Sequence, residues 1–246
     1  MRRILALLVG VAALVGIVAL WGPTACSRRN APPGGPRTID LGGGDRVSFR
    51  EAVPGTAVAQ GTGPSSAPST PSTDAAAGAP ATVPVVFLHG ASYDSSVWER
   101  LGLLGDVAAL GHRAVAVDLP GKGNSMGDAG AAWLAKVLDR LGIDRAIVVA
   151  PSAGGAVGLD LLAAHPDRVA GFVPVSPVGG GDFTWKGGDA PPTVVVSGAN
   201  DRGFAAGNAA LAAAIPGARL VVIPDAGHAA YEDQPKAFLD AMRPLL

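Results

Sequence analysis

Ser152, Asp201 and His228 are residue types that can act together as a proton relay, and each follows its own short β-branched run. The serine lies in Ala146-Ile147-Val148-Val149-Ala150-Pro151-Ser152-Ala153-Gly154-Gly155. Small residues two before and two after it suit a sharp, strained strand-to-helix turn, where larger side chains would strike the neighbouring strand and helix. The usual spacing is Gly-x-Ser-x-Gly; Ala150 stands in for the first glycine. The competing reading is a serine that merely caps a helix. Asp201 follows Thr193-Val194-Val195-Val196 through Ser197-Gly198-Ala199-Asn200, where a helix cap is again the alternative. His228 follows Leu220-Val221-Val222-Ile223 through Pro224-Asp225-Ala226-Gly227, with Asp225 as a second candidate acid. Taken singly, His228 reads as an exposed loop histidine. The order Ser, Asp, His, each after a strand, makes the three one signal. In such a relay the imidazole takes the serine proton and the carboxylate holds the imidazole in the right tautomer. The run Val85-Val86-Phe87-Leu88 ends in His89-Gly90-Ala91. The backbone N–H groups of Ala91 and Ala153 are therefore the candidate oxyanion-hole donors.

These positions require a sheet that brings several strand ends together. From Val83 onward, apolar runs at 85–88, 113–117, 146–149, 171–175, 193–196 and 220–223 alternate with helix candidates near 96–110, 130–142, 153–164, 203–214 and 235–245. Continuous apolar strands alternating with helices predict an α/β fold, a mostly parallel central sheet covered by helices on both faces. In such sheets, chemistry gathers beyond the carboxyl ends of the strands. Thr38 to Glu51 reads as a hairpin ahead of that core, with turn glycines at 42–44. The stretch between the strand at 171–175 and the next, from Ser176 to Pro192, is short and Gly-rich, so little or no lid is expected. Phe183 and Trp185 in it either line the pocket or pack the loop onto the sheet. His89 is expected to shape the oxyanion loop, and Asp118 and the two remaining histidines, His112 and His165, to be structural.

Composition excludes several function classes. A formal net charge of −1 with no concentrated basic face argues against nucleic acid as a partner. A single cysteine, Cys26, excludes a disulfide framework within one chain. No cluster has metal-ligand spacing and no Gly-rich phosphate loop follows the first core strand, so neither metal nor cofactor is expected. The expected partner is a small acyl substrate.

Outside the core the sequence changes character. Met1-Arg2-Arg3 precedes an apolar run from Ile4 to Trp21. That run is longer than a usual secretory h-region and close to the length that crosses a bilayer. Residues 1–26 are expected to be a signal anchor or a signal peptide, with lipidation at Cys26 after Thr24-Ala25 as a further alternative. The chain would then be membrane-anchored or secreted, with an extracytoplasmic catalytic domain. Residues 27–36 read as a linker and 37–246 as the domain. An insertion near 56–82, composed almost entirely of Ala, Gly, Pro, Ser and Thr with hardly a large apolar residue, is expected to be disordered.

Several pieces of the chain carry a family likeness. They are Phe49-Arg50-Glu51-Ala52, Leu88-His89-Gly90 with Ser95-Ser96 and Trp98, Ala114 to Gly121, Pro151-Ser152, Gly171-Phe172-Val173-Pro174-Val175 and Gly227-His228. Through them the chain resembles the α/β-hydrolase superfamily over about residues 37–246, and more narrowly the α/β-hydrolase domain-containing protein fourteen branch. The resemblance implies a compact, nearly lidless hydrolase whose triad carries over to Ser152, Asp201 and His228. It implies action on small acyl esters, and acyl transfer involving lysine or coenzyme A is associated with the branch. The expected activity is cleavage of small carboxylic esters or thioesters. The alternatives are acyl transfer or deacylation on the same triad, and a non-catalytic binding protein that keeps the fold.

Overall fold

A computed structural model describes residues 35–55, 82–130 and 132–246. The expected leader at 1–26, the linker as far as residue 34 and the insertion at 56–81 lie outside the described residues. The hairpin forms as its alternation predicts: β1 (Arg37–Gly42) pairs antiparallel with β2 (Asp45–Ala52) around positive-φ glycines at 42, 43 and 44. The core strands are β3 (Val85–Phe87), β4 (Ala114–Val117), β5 (Ala146–Pro151), β6 (Val169–Val175), β7 (Val194–Gly198) and β8 (Arg219–Ile223). With the hairpin they form an eight-stranded sheet in the order β1-β2-β4-β3-β5-β6-β7-β8, antiparallel through β2 and parallel from β4 onward.

The helices are α1 (Ser96–Arg100), α2 (Leu103–Ala109), α3 (Trp133–Arg140), α4 (Ser152–Ala164), α5 (Ala205–Ala214), α6 (Ala230–Asp233) and α7 (Pro235–Met242). The single helix expected near 96–110 is two, because Gly102 takes a left-handed conformation at φ 77° between them. The short α6 was not anticipated by the periodicity. Alternate strand residues feed opposite faces. Val86, Leu88, Val115 and Val117 pack with Leu134, Leu138, Leu161 and Leu211 on the face covered by α3, α4 and α5. Val85, Phe87, Ala114 and Ala116 pack with Trp98, Leu104, Val107 and Phe238 on the face covered by α1, α2 and α7.

From β3 the chain crosses to β4 on one side and returns to β5 on the other. The carboxyl ends of β3 and β5 therefore flank the point where the winding reverses, which is where doubly wound sheets leave a crevice. Between β6 and β7 lies only a short 3-10 turn, Gly180–Asp182, and no lid helix. Phe183 and Trp185 pack against the core and line a separate cavity of about 380 Å³ with Ala163 and Pro166. Ala163 lies at the far end of α4 from Ser152, roughly 16 Å along the axis.

The expectation of a membrane-anchored or secreted chain with an extracytoplasmic catalytic domain is corrected. Among the described residues no helix is long and apolar enough to cross a membrane. The longest of them, α4, has 13 residues, or about 20 Å, against a hydrocarbon core of about 30 Å.

The sheet and α4 approach closely at Gly158, where an added Cβ would lie 2.7 Å from Ala150 Cβ and 2.9 Å from the Phe172 ring. Gly158→Val should therefore destabilise the fold by about 2–3 kcal/mol through overpacking. Urea denaturation measures this; an unchanged midpoint would contradict the close approach.

Candidate active site

Ser152 opens α4 directly from β5. Pro151 is still extended, at φ −86° and ψ 144°, whereas Ser152 has φ +48°. A non-glycine residue in that region costs on the order of 1–3 kcal/mol and persists only when its surroundings hold it. Two hydrogen bonds hold it: Val178 N–H donates to the Ser152 carbonyl at 2.9 Å, and Gly154 N–H donates to the His89 carbonyl at 3.2 Å. A Cβ on Gly154 would lie 2.8 Å from the His89 carbonyl oxygen and 2.8 Å from Leu88 Cβ. Close packing thus explains the small residues around the serine. The helix has no side-chain cap, so the serine hydroxyl is free for another partner.

That partner is His228, whose Nε2 lies 3.0 Å from Ser152 Oγ. Its Nδ1 lies 2.8 Å from Asp201 Oδ2. With Nδ1–H donating to the carboxylate, Nε2 is left to accept from the serine hydroxyl. The Asp201 side chain is 8% exposed and that of His228 41%, so the carboxylate is buried and the imidazole is open to solvent. The loops carrying them are laced together: Ala199 N–H donates to Ile223 O and Asn200 N–H to Ala226 O, at 2.9 and 2.8 Å. A Cβ at Gly198 would lie 2.0 Å from the Gly227 carbonyl oxygen, so only glycine permits this approach. Asp225, the other candidate acid, is exposed.

The loop after β3 is fixed by His89. Its Nδ1 pairs with the Gly90 carbonyl at 2.8 Å and its Nε2 accepts from Leu119 N–H at 2.9 Å. Burial is the main cause that pushes its pKa below 6.5, which keeps the ring neutral and able to fill both roles. The next amide but one, Ala91 N–H, and Ala153 N–H at the start of α4 are without hydrogen-bond partners among the described residues. Asp118 accepts from Ser95 N–H at 2.6 Å, which ties the end of β4 to the start of α1. His112 pairs with the Val83 carbonyl at 2.8 Å, and His165 ends α4. Among the described residues no group of His, Cys, Asp or Glu has an arrangement that could hold a metal ion.

Several residues at the site were not singled out from the sequence. Phe204 packs on His228 with ring centroids 4.4 Å apart. Asn208, buried in α5, donates from Nδ2 to Ser197 Oγ at 2.9 Å and Ser176 Oγ at 3.2 Å. A lone amide within Ala205-Ala206-Gly207-Asn208-Ala209-Ala210 was the available signal. Tyr93 and Arg100 both bond Glu232, and Tyr231 is buried beside them.

The architecture agrees with the family model that matches residues 83–180, described as alpha/beta hydrolase fold. Protein ABHD14A of Mus musculus is 35% identical over 163 residues, which is 63% of this chain and 66% of that protein. The match thus spans just under two thirds of that relative's length. ABHD14B of Homo sapiens, named as a candidate protein-lysine deacylase, is 31% identical over 208 residues, 78% of this chain and 86% of its own. The solved structure of a CIB-like hydrolase from Thermoplasma acidophilum superposes with a TM-score of 0.65 at 23% identity, covering 86% of this chain and 95% of that one. The chain belongs to the α/β-hydrolase family, in the branch of ABHD14A and ABHD14B.

Because burial lowers the His89 pKa in the fold, its contribution to stability is present above about pH 6.5 and is lost as pH falls through the folded value. Urea midpoints between about pH 5 and 8 should fall more steeply on the acid side for the native chain than for His89→Gln. Parallel curves would show that His89 does not titrate with unfolding.

Proposed function

We propose that this chain is a serine hydrolase that cleaves small carboxylic esters or thioesters, with Ser152 as nucleophile, His228 as general base and Asp201 as the orienting acid. The observation that carries the reading is the relay itself, with Ser152 Oγ 3.0 Å from His228 Nε2 and His228 Nδ1 2.8 Å from Asp201. As Ser152 Oγ bonds to the acyl carbon, its proton passes to His228 Nε2. The buried Asp201 carboxylate stabilises the imidazolium that results. The carbonyl oxygen becomes an oxyanion that accepts from Ala91 N–H and Ala153 N–H, each worth about 3–4 kcal/mol by analogy with other such donors. His228 returns the proton to the leaving group, and the acyl group stays on Ser152. Water, activated by His228, then attacks the acyl-enzyme and releases the acid.

A second reading is favoured by the name of the human relative: deacylation of acyl-lysine, or passage of the acyl group to an acceptor other than water. It uses the same relay and differs only in the leaving group or in the nucleophile of the second step.

A fluorophosphonate probe should label the native protein and fail to label Ser152→Ala, which should also lose ester turnover while keeping its unfolding midpoint. Labelling that persists in the variant would move the nucleophile elsewhere, and a native protein that resists labelling would favour a non-catalytic role. Asp201→Asn and His228→Ala should each lower kcat by several powers of ten, and the double variant by far less than the product of the two. Near-normal turnover of Asp201→Asn would assign the acid to Asp225.

The absence of a lid helix between β6 and β7 leaves little apolar surface over the cleft. A long acyl chain would then forgo about 0.8 kcal/mol for each methylene left in water. Across p-nitrophenyl esters from acetyl to palmitoyl, kcat/KM should be highest for the short chains. A steady rise to the longest chain would require a binding tunnel and refute the open site.

A further inference from the structure

Gly90 leaves a gap next to the nucleophile. The point where its Cβ would sit is 3.5 Å from Ser152 Cβ, 3.7 Å from Tyr93 Cδ2 and 3.8 Å from the Tyr231 hydroxyl oxygen. A phenol and a serine therefore face one small space, on the loop that leads into Ala91. The Tyr231 ring is fixed on several sides, with centroids 4.6 Å from Trp98, 6.0 Å from Tyr93 and 6.1 Å from Phe238. The residue is 2% exposed. Its neighbours use their polar groups: Trp98 Nε1–H donates to the Leu88 carbonyl at 2.9 Å, and the Tyr93 hydroxyl donates to Glu232. The Tyr231 hydroxyl makes no hydrogen bond among the described residues, and its oxygen is not one of the wholly buried unpartnered atoms, so it keeps some access to the gap. Burial pushes its pKa up, so the phenol keeps its proton at neutral pH and can only serve as a neutral hydroxyl. A neutral hydroxyl that borders the gap and has no protein partner is free to donate to an oxygen arriving there.

We infer that the Tyr231 hydroxyl is a third donor to the oxyanion that forms when Ser152 attacks an acyl carbon, alongside Ala91 N–H and Ala153 N–H. The inference rests on the serine-hydrolase reading of the site. No group is transferred by this residue: the phenol keeps its proton throughout, and its hydrogen bond strengthens as charge builds on the carbonyl oxygen. Because the ring is held by aromatic neighbours, the donor is positioned before substrate binds, which is the condition under which such a group favours the transition state over the ground state.

The test is Tyr231→Phe, which removes one oxygen and keeps the ring contacts; near-UV circular dichroism checks that the aromatic packing is unchanged. With p-nitrophenyl acetate, kcat should fall about a hundredfold while KM changes little. A trifluoromethyl ketone, whose serine adduct carries the same oxyanion, should lose affinity by a similar factor. Fluorophosphonate labelling of the variant should still reach one equivalent, since Ser152, Asp201 and His228 are untouched. Unchanged kcat with unchanged ketone affinity overturns the inference, as does a loss confined to KM, which would make Tyr231 a binding wall. Failure of the native protein to label at all overturns the serine-hydrolase reading instead.

Discussion

The structure turns on one strained residue. Ser152, at φ +48°, occupies backbone space that side chains disfavour, and it stays there because α4 lies hard against the sheet and the β3 loop. The contacts that enforce this are specific. Gly154 meets the His89 carbonyl and Leu88, Gly158 meets Ala150 and Phe172, and a Cβ at Gly155 would lie 2.3 Å from Pro177 Cβ. Each glycine removes the side chain that would lift the helix away. With the helix so close, its amino-terminal amides and the serine hydroxyl reach the crevice together. The strain is thus a by-product of an approach that packing makes favourable.

His228 and Asp201 answer to a different constraint. Their loops follow β7 and β8, which pair in register from Val194↔Arg219 to Gly198↔Ile223, and continue to bond one another beyond the strand ends. Asp201 is buried and charged groups in such places need partners; His228 supplies one through Nδ1, and the other side of the imidazole stays exposed. Phe204 covers the imidazole from the side of α5. His89 is the opposite case: buried and kept neutral by desolvation, it serves as a bracket between two backbone groups.

The parts of the fold visible in the sequence are those written in local periodicity. Every core strand was marked by an apolar β-branched run, and the small residues around Ser152 announced the sharp turn. The helix expected at 96–110 reads as continuous because apolar spacing carries across Gly102, while only the backbone reveals the left-handed break. Phe183 and Trp185 could not be assigned to a wall from their types, since the direction of a loop depends on the packing of the helix beneath it. The buried amide of Asn208 and the hydroxyl of Tyr231 gave almost no sequence signal. Their roles depend on which strand ends lie beside them, which is long-range information.

The three relay residues do not belong to one rigid half of the sheet. Ser152 rides on β5, which pairs with β6 from Ala146↔Val169 to Pro151↔Val175. Asp201 and His228 ride on β7 and β8. Between the halves, β6 and β7 pair at Val175↔Val196, with an isolated bridge at Phe172↔Thr193. A seam with so little backbone pairing would leave the Ser152–His228 distance poorly defended. Asn208 lies across that seam: its Nδ2 bonds Ser176 just after β6 and Ser197 within β7. Its Oδ1 remains buried without a partner, a penalty on the order of 1–3 kcal/mol. An apolar side chain of similar size would avoid that penalty but would strip both serines of their donor. The amide therefore trades some stability for a cross-strand tie, and it makes that tie where the half that carries Ser152 meets the half that carries Asp201 and His228.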